Sequence, residues 1–287
     1  MSVRSLRYSD LSLRLPKGTS ALPIERDAWA FLDAAGITSA LQQRAVVQLV
    51  RDLKKAQLWT KMKAIYPFVG GTATTHKWNL KNPQDTDAAF RMLWEGGITH
   101  NASGITGNGT TGRGVTYLVP STAFSAGSAH VSAYVSTNLE GPRNEYGLFD
   151  ATNTNAMSFN TSEQSGVLDG TGNHVSIIGH QANNRIIVLR TGNAGFHTST
   201  RTSTTTLKMF VNDAQIGATN TVAYNNFSTL TGNMYFNVAA LFNGTTFTNY
   251  NTRTISFFSL GDGLTDSEVA LFNSSVQRYQ KTLGRSV

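Results

Sequence analysis

Cleaving a glycosidic bond takes two carboxylates, one to protonate the leaving group and one to serve as nucleophile or base. The acids are therefore the first place to look for chemistry, and they are sparse. Between residues 100 and 260 they are Glu140, Glu145, Asp150, Glu163, Asp169 and Asp213, and no two of these alternate along a strand. Glu140 and Glu145 flank Gly141-Pro142, a turn. Asp85 and Asp87 do alternate, but they stand at an expected helix start, where an acid favours the dipole. The six histidines, at 76, 100, 130, 174, 180 and 197, show no ligand spacing. Asp150, Asp169 and Asp213 supply the hard oxygens Ca²⁺ needs only if the fold gathers them. The glycines from 104 to 114 lack the Gly-Lys-Ser/Thr ending of a phosphate loop, and Arg113 does not replace it. The expectation is no catalytic residue, no metal ligand and no cofactor. Sugar binding without cleavage stays open. Tyr134 lies on the outer face of its strand, and Arg143, Asn144 and Tyr146 follow in the next loop. An aromatic face can stack on a sugar ring while amide and guanidinium groups bond its hydroxyls. The plainer reading makes these four ordinary loop residues.

Composition narrows the classes. The chain has 287 residues, no Cys and a net charge of +7, yet charged residues make up only 14% of it. The length suffices for a large core, and the lack of Cys rules out disulfides and thiolate metal sites. The basic excess falls mostly before residue 64, and the aromatic-basic motifs of RNA modules are missing, so nucleic acid is not the expected partner. No stretch is long and apolar enough to span a membrane. The first residues contain no uninterrupted apolar run, so no signal peptide is expected and synthesis in a cytoplasm is.

These residues need elements to position them. Residues 1-22 read as an extended basic arm, in which Arg4, Arg7, Arg14 and Lys17 face one acid, Asp10, and Leu11, Leu13 and Leu15 alternate. Such an arm either pairs with the chain's own sheet or adds as a strand to a neighbour. On the second reading Arg4, Arg7, Leu11, Leu13, Arg14 and Leu15 are attachment residues. Residues 23-57 read as a helical segment of two helices, the first broken by Gly36 and the second boxed by Ser39 and Gln42. The stripe Leu41, Ala45, Leu49, Leu53 and Ala56 is its apolar face. Residues 58-287 read as short strands separated by turn signals. Phe90, Met92 and Trp94 alternate, and 98-119 reads as a long glycine-rich loop around one strand, Val115 to Val119. Further strands are expected at 129-135, 145-150, 156-160, 174-180, 185-191, 207-211, 234-241 and 254-260. The chain then closes on a helix capped by Thr265 and Glu268 and stopped by Gly284, with Val269, Phe272, Val276, Tyr279 and Leu283 on one face.

The succession LKMFVNDAQIGA (207-218), MYFNVAALFNGTTF (234-247) and RTISFFSLGDGLTDSEVALF (253-272) resembles the C-terminal half of concanavalin A-like or laminin G-like jelly rolls. The implied class is mainly β: a sandwich of two antiparallel sheets with a short N-terminal helical segment and a C-terminal helix. LWTKMKAIYPFVGGTATTHKWNLKNPQDTDAAFRMLWEGGITH (58-100), with the ending FNSSVQRYQKTLGR, resembles bacteriophage virion proteins of the tail, tail fibre and capsid. That resemblance implies a non-enzymatic structural or host-attachment role on a virion. Other virion proteins would be partners, and homo-oligomers, trimers among them, would display the sandwich. It brings no catalytic residues. The alternative is a carbohydrate-binding, lectin-like module for host surface glycans.

Overall fold

The structure is a computed structural model that describes residues 23–125, 127–139, 143–152, 154–161, 173–180, 182–190, 192–224 and 227–287. The basic arm, with Arg4, Arg7, Leu11, Leu13, Arg14 and Leu15, lies outside the described residues, as does Asp169.

Five helices occur among the described residues: α1 (Pro23–Ala35), α2 (Ala40–Lys55), the short α3 (Ala73–His76) and α4 (Pro120–Ala123), and α5 (Asp266–Thr282). The expected ends hold for α5. Thr265 accepts from the Glu268 N–H, and the Glu268 carboxylate takes the Thr265 N–H, a reciprocal cap. Gly284 follows at φ 69°. The second helix differs. Ser39 makes no side-chain cap, and Gln43 instead bonds the Ile37 carbonyl at 2.8 Å. Its buried face is Ala45, Val46, Leu49, Val50 and Leu53, which leaves Leu41 exposed.

The strands form two sheets. The first is ordered β13 (Ala214–Asn220), β12 (Thr206–Val211), β11 (Gly195–Ser203), β6 (Ala129–Val135), β17 (Thr254–Gly261), β4 (Gly104–Gly107) and β3 (Ile98–Asn101). Along one edge of β17, β4 pairs with its first residues and β1 (Met62–Tyr66) with its last. The second sheet is ordered β10 (Arg185–Leu189), β9 (Asn173–His180), β8 (Asn155–Thr161), β7 (Asn144–Phe149), β14 (Asn237–Val238), β5 (Arg113–Val115) and β2 (Leu93–Glu95). A small hairpin, β15 (Leu241–Phe242) and β16 (Phe247–Thr248), joins β7 through a parallel pairing, where the other pairings among the described residues are antiparallel. The architecture is a mainly β jelly-roll sandwich with an N-terminal helical segment and a C-terminal helix.

Alternation along the strands explains why there are three layers. In β6, Ala129, Val131 and Ala133 point between the sheets and join Leu148, Met157, Ile178, Phe236, Phe258 and Leu260. The opposite face carries Tyr134, which joins Phe196, Phe257, Phe272 and Tyr279 under the helices. That second core also takes Phe31, Leu49 and Leu53, so α1, α2 and α5 cover the back of the first sheet. Each fully buried Phe or Leu contributes about 1.5–3 kcal/mol relative to exposure.

Five stretches differ from expectation. The segment 98-107 is a hairpin, β3 and β4, not a loop. The expected strand at 115-119 ends early because Tyr117 adopts φ 57°, and that at 90-94 begins late because Phe90 also sits at φ 57°. The expected strand at 234-241 is split by Ala239 at φ 66°. A central strand, β11, stands where no strand was expected.

Candidate functional site

The four residues expected to meet a sugar do not share a surface. Tyr134 does lie on the outer face of its strand, but that face is roofed by α5. It is 0% exposed, its hydroxyl accepts from the Val287 N–H at 2.9 Å and reaches Gln277 at 3.3 Å. Tyr146 is 1% exposed and packs between the sheets, 5.5 Å from Phe236 and 5.6 Å from Phe258. Neither ring has a free face for stacking, a correction of the expected placement. Asn144 is buried as well, and Arg143 is partly buried with Nε 3.3 Å from the Thr252 hydroxyl.

The candidate chemical groups are also accounted for. Asp85 binds Lys77 at 2.5 Å and Arg91 at 3.3 Å, while Asp87 binds Arg91 at 2.8 Å. The hydrogen bond from Lys77 is the main reason the Asp85 carboxyl titrates below its usual range. Asp150 takes hydrogen bonds from Thr152, the Thr154 N–H and Asn155. These outweigh its burial and hold it at a pKa of about 2. Asp213 sits beside Val211, which pairs with His197, whereas Asp150 sits beside Asn155, which pairs with His180. The two acids therefore occupy opposite ends of the sandwich. Among the described residues no group of three metal-ligating side chains occurs.

A groove on the outer face of the second sheet offers a different set of groups. Parity builds it. Met92, Trp94, Leu118, Phe236 and Val238 turn into the core. Their neighbours Leu93, Glu95, Tyr117, Tyr235 and Asn237 consequently turn outward, together with Arg113 and Val115. Gly114 permits this close stacking, since a Cβ there would meet the Met92 sulfur at 2.6 Å. The β15–β16 hairpin raises one wall with Phe242 and Phe247, their ring centroids 5.0 Å apart. The volume is about 260 Å³, near the low end for small-molecule clefts.

Its chemistry is mixed. Tyr117 and Tyr235 lie 5.0 Å apart at 60°, both partly exposed. Arg113 is ion-paired with Glu95, and its guanidinium lies 3.9 Å from the Phe247 ring centroid. Asn237 is buried. Its amide donates to the Tyr235 carbonyl at 2.6 Å, but its side-chain oxygen has no partner, nor does Nε of Arg113. A buried polar atom without a partner costs about 1–3 kcal/mol. The left-handed φ of Tyr117 adds backbone strain of the kind that collects at binding sites. Sequence reasoning passed over this set because its members come from five separate segments. Its one local signal is the aromatic-rich YFNVAALFNGTTF (235-247).

No family model and no curated protein matches the chain. Among solved structures, domain 4 of AbnA, a GH43 extracellular arabinanase from Geobacillus stearothermophilus in complex with arabinotriose, matches at TM-score 0.43 and 16% identity. The match covers 74% of this chain and 98% of that one. The CBM40 of the Ruminococcus gnavus IT-sialidase, bound to α2,3 sialyllactose, matches at TM-score 0.41 and 12% identity over 63% of this chain and 94% of that one. The NanB sialidase of Streptococcus pneumoniae matches at 0.40 and 16% over 51% of this chain, which spans 24% of the sialidase's length. These are distant likenesses and assign nothing to this chain.

Proposed function

We propose that the chain is a non-catalytic carbohydrate-binding module that receives a glycan in the groove of the second sheet. The observation that carries this reading is the pairing of two partly exposed tyrosines with an unsatisfied buried amide oxygen in one cleft. The C–H face of a sugar ring fits against the electron-rich face of Tyr117 or Tyr235. A sugar hydroxyl would satisfy the Asn237 oxygen, and Arg113 and Glu95 would serve others. Glu95 is the one carboxylate in the lining, and it is held by Arg113. A two-carboxylate cleavage has no second member there.

Tyr117→Ala and Tyr235→Ala are expected to weaken glycan-array binding at least tenfold each, about 1.4 kcal/mol, with Tyr134→Phe as a neutral control. Retention of full binding in both alanine variants, or silence of the wild type across a broad array, would sink the reading.

A second reading adds to the first. The cationic arm, with Arg4, Arg7, Leu11, Leu13, Arg14 and Leu15, together with the resemblance of 58-100 to virion proteins, supports attachment to a phage particle. Multiple copies on a particle would convert weak glycan contacts into avidity. Deleting residues 1-22 should abolish incorporation into particles, and unchanged incorporation would refute the anchor.

A further inference from the structure

A second cleft, of about 380 Å³, opens at the end of the sandwich where β8 begins and β9 ends. Asn155, His180, Asn183, Tyr224 and Thr229 line it, and none of these belongs to the groove. Two features set it apart from an ordinary surface hollow. Tyr224 is only 7% exposed, packed against Phe227 at 5.3 Å, yet its hydroxyl has no hydrogen-bond partner. Behind its ring, with Cζ 5.5 Å from the centroid, lies Arg201, which is 0% exposed. Arg201 gives Nε to the Ile178 carbonyl at 2.8 Å and Nη1 to the Thr204 carbonyl at 2.9 Å, and Nη2 has no partner. Among the described residues no carboxylate pairs with it.

A buried guanidinium without a counter-charge is costly, and a negative group brought close to it is favoured. Asp150, which follows β7, already accepts from Thr152, the Thr154 N–H and Asn155. The unfilled need in this cleft is therefore for an acceptor that carries negative charge. Around it, Asn155, which already bonds Thr229 at 2.9 Å, and the exposed Asn183 supply polar groups for neutral hydroxyls.

We infer that the end cleft is a second ligand site for a hydroxylated carboxylate, the chemistry of a uronate sugar. Its carboxylate would accept from the Tyr224 hydroxyl with the Arg201 charge behind, and its ring hydroxyls would meet the asparagine-threonine rim. The site stands apart from the groove and does not depend on the groove's ligand.

Tyr224→Phe isolates the claim, because it removes one oxygen and keeps the ring packing. Removing an unsatisfied buried hydroxyl should leave the thermal midpoint unchanged or raise it. Binding of D-glucuronate would be followed by saturation-transfer NMR and titration calorimetry, with D-glucose as the uncharged control. Expected are glucuronate binding to wild type at least tenfold tighter than glucose, loss of at least tenfold of that affinity in Tyr224→Phe, and no change in Tyr117→Ala. Equal affinity for both sugars, full glucuronate binding by Tyr224→Phe, or no binding by wild type would each overturn the site. A loss in Tyr117→Ala instead would place the ligand in the groove and overturn it too.

Discussion

Lowering the pH from 7 to 5 is expected to remove most of the protein's folding stability, before most carboxylates are protonated. Four of the six histidines are buried: His76, His130, His174 and His197. Burial is the largest cause in each case, and it depresses His76 to about 3 and His130 and His174 to about 4. His197 is pushed well below its ordinary value, first by burial and then by His174, whose ring lies 5.3 Å away. The native state therefore keeps these four neutral while the unfolded chain protonates them below about 6.5. Unfolding then takes up protons, so stability falls as pH falls through the window from about 6.5 to about 4. Each histidine adds a slope of about 1.4 kcal/mol per pH unit, and the four together on the order of 5. Against an ordinary stability of about 5–15 kcal/mol that slope is decisive. Urea unfolding at pH 7.5, 6 and 5 measures it, and His130→Gln should flatten the slope by about a quarter. A midpoint that does not move between pH 7 and 5 would refute the account.

Glu145→Ala is expected to destabilise the fold by about 3–5 kcal/mol. Glu145 and Arg253 form an ion pair at 3.1 Å with both side chains 0% exposed, and Arg253 also bonds the Leu139 carbonyl at 2.8 Å. Removing the carboxylate takes the Glu145 charge away from a fully buried guanidinium, and the loss of that buried pairing dominates the cost. Replacing both partners, as in Glu145→Leu with Arg253→Met, should restore much of the loss, because two desolvated charges barely repay their own burial. Thermal unfolding of the two singles and the double separates these terms. A Glu145→Ala variant as stable as the wild type would show that the pair is not buried in solution.

The last strand and helix were legible in the sequence because local signals agree there: apolar β17 residues, a reciprocal cap, one apolar helix face and a stopping glycine. β11 was not legible, and the reason is chemical. GFHTSTRTS has one large apolar residue, yet its first seven residues are buried. Its hydroxyls find partners within the first sheet, across to the second and in the turn before α5: Thr198 with Ser132 at 3.0 Å, Ser199 with Ser176 at 2.6 Å, and Thr200 with the Leu264 carbonyl at 3.0 Å. Partners so distant in sequence leave no local pattern. Tyr134 shows the converse error. Strand parity placed it on the outer face, but a helix over a hundred residues later covers that face, and parity says nothing about cover. The groove was illegible for a third reason, namely that left-handed residues such as Tyr117 and Ala239 interrupt the strands that carry it.

The position of β17 in the first sheet bears on how the molecule is made. It lies between β6 on one side and β4 and β1 on the other. Synthesis runs from the N-terminus, so every other strand of both sheets emerges from the ribosome before the one that joins the halves of the first. Until residue 261 is made, β6 and β1 each present an unpaired edge, open to pairing with a neighbouring nascent chain. The middle segment that waits for this central strand is rich in Thr, Ser and Asn, which limits the apolar surface a half-built sheet exposes.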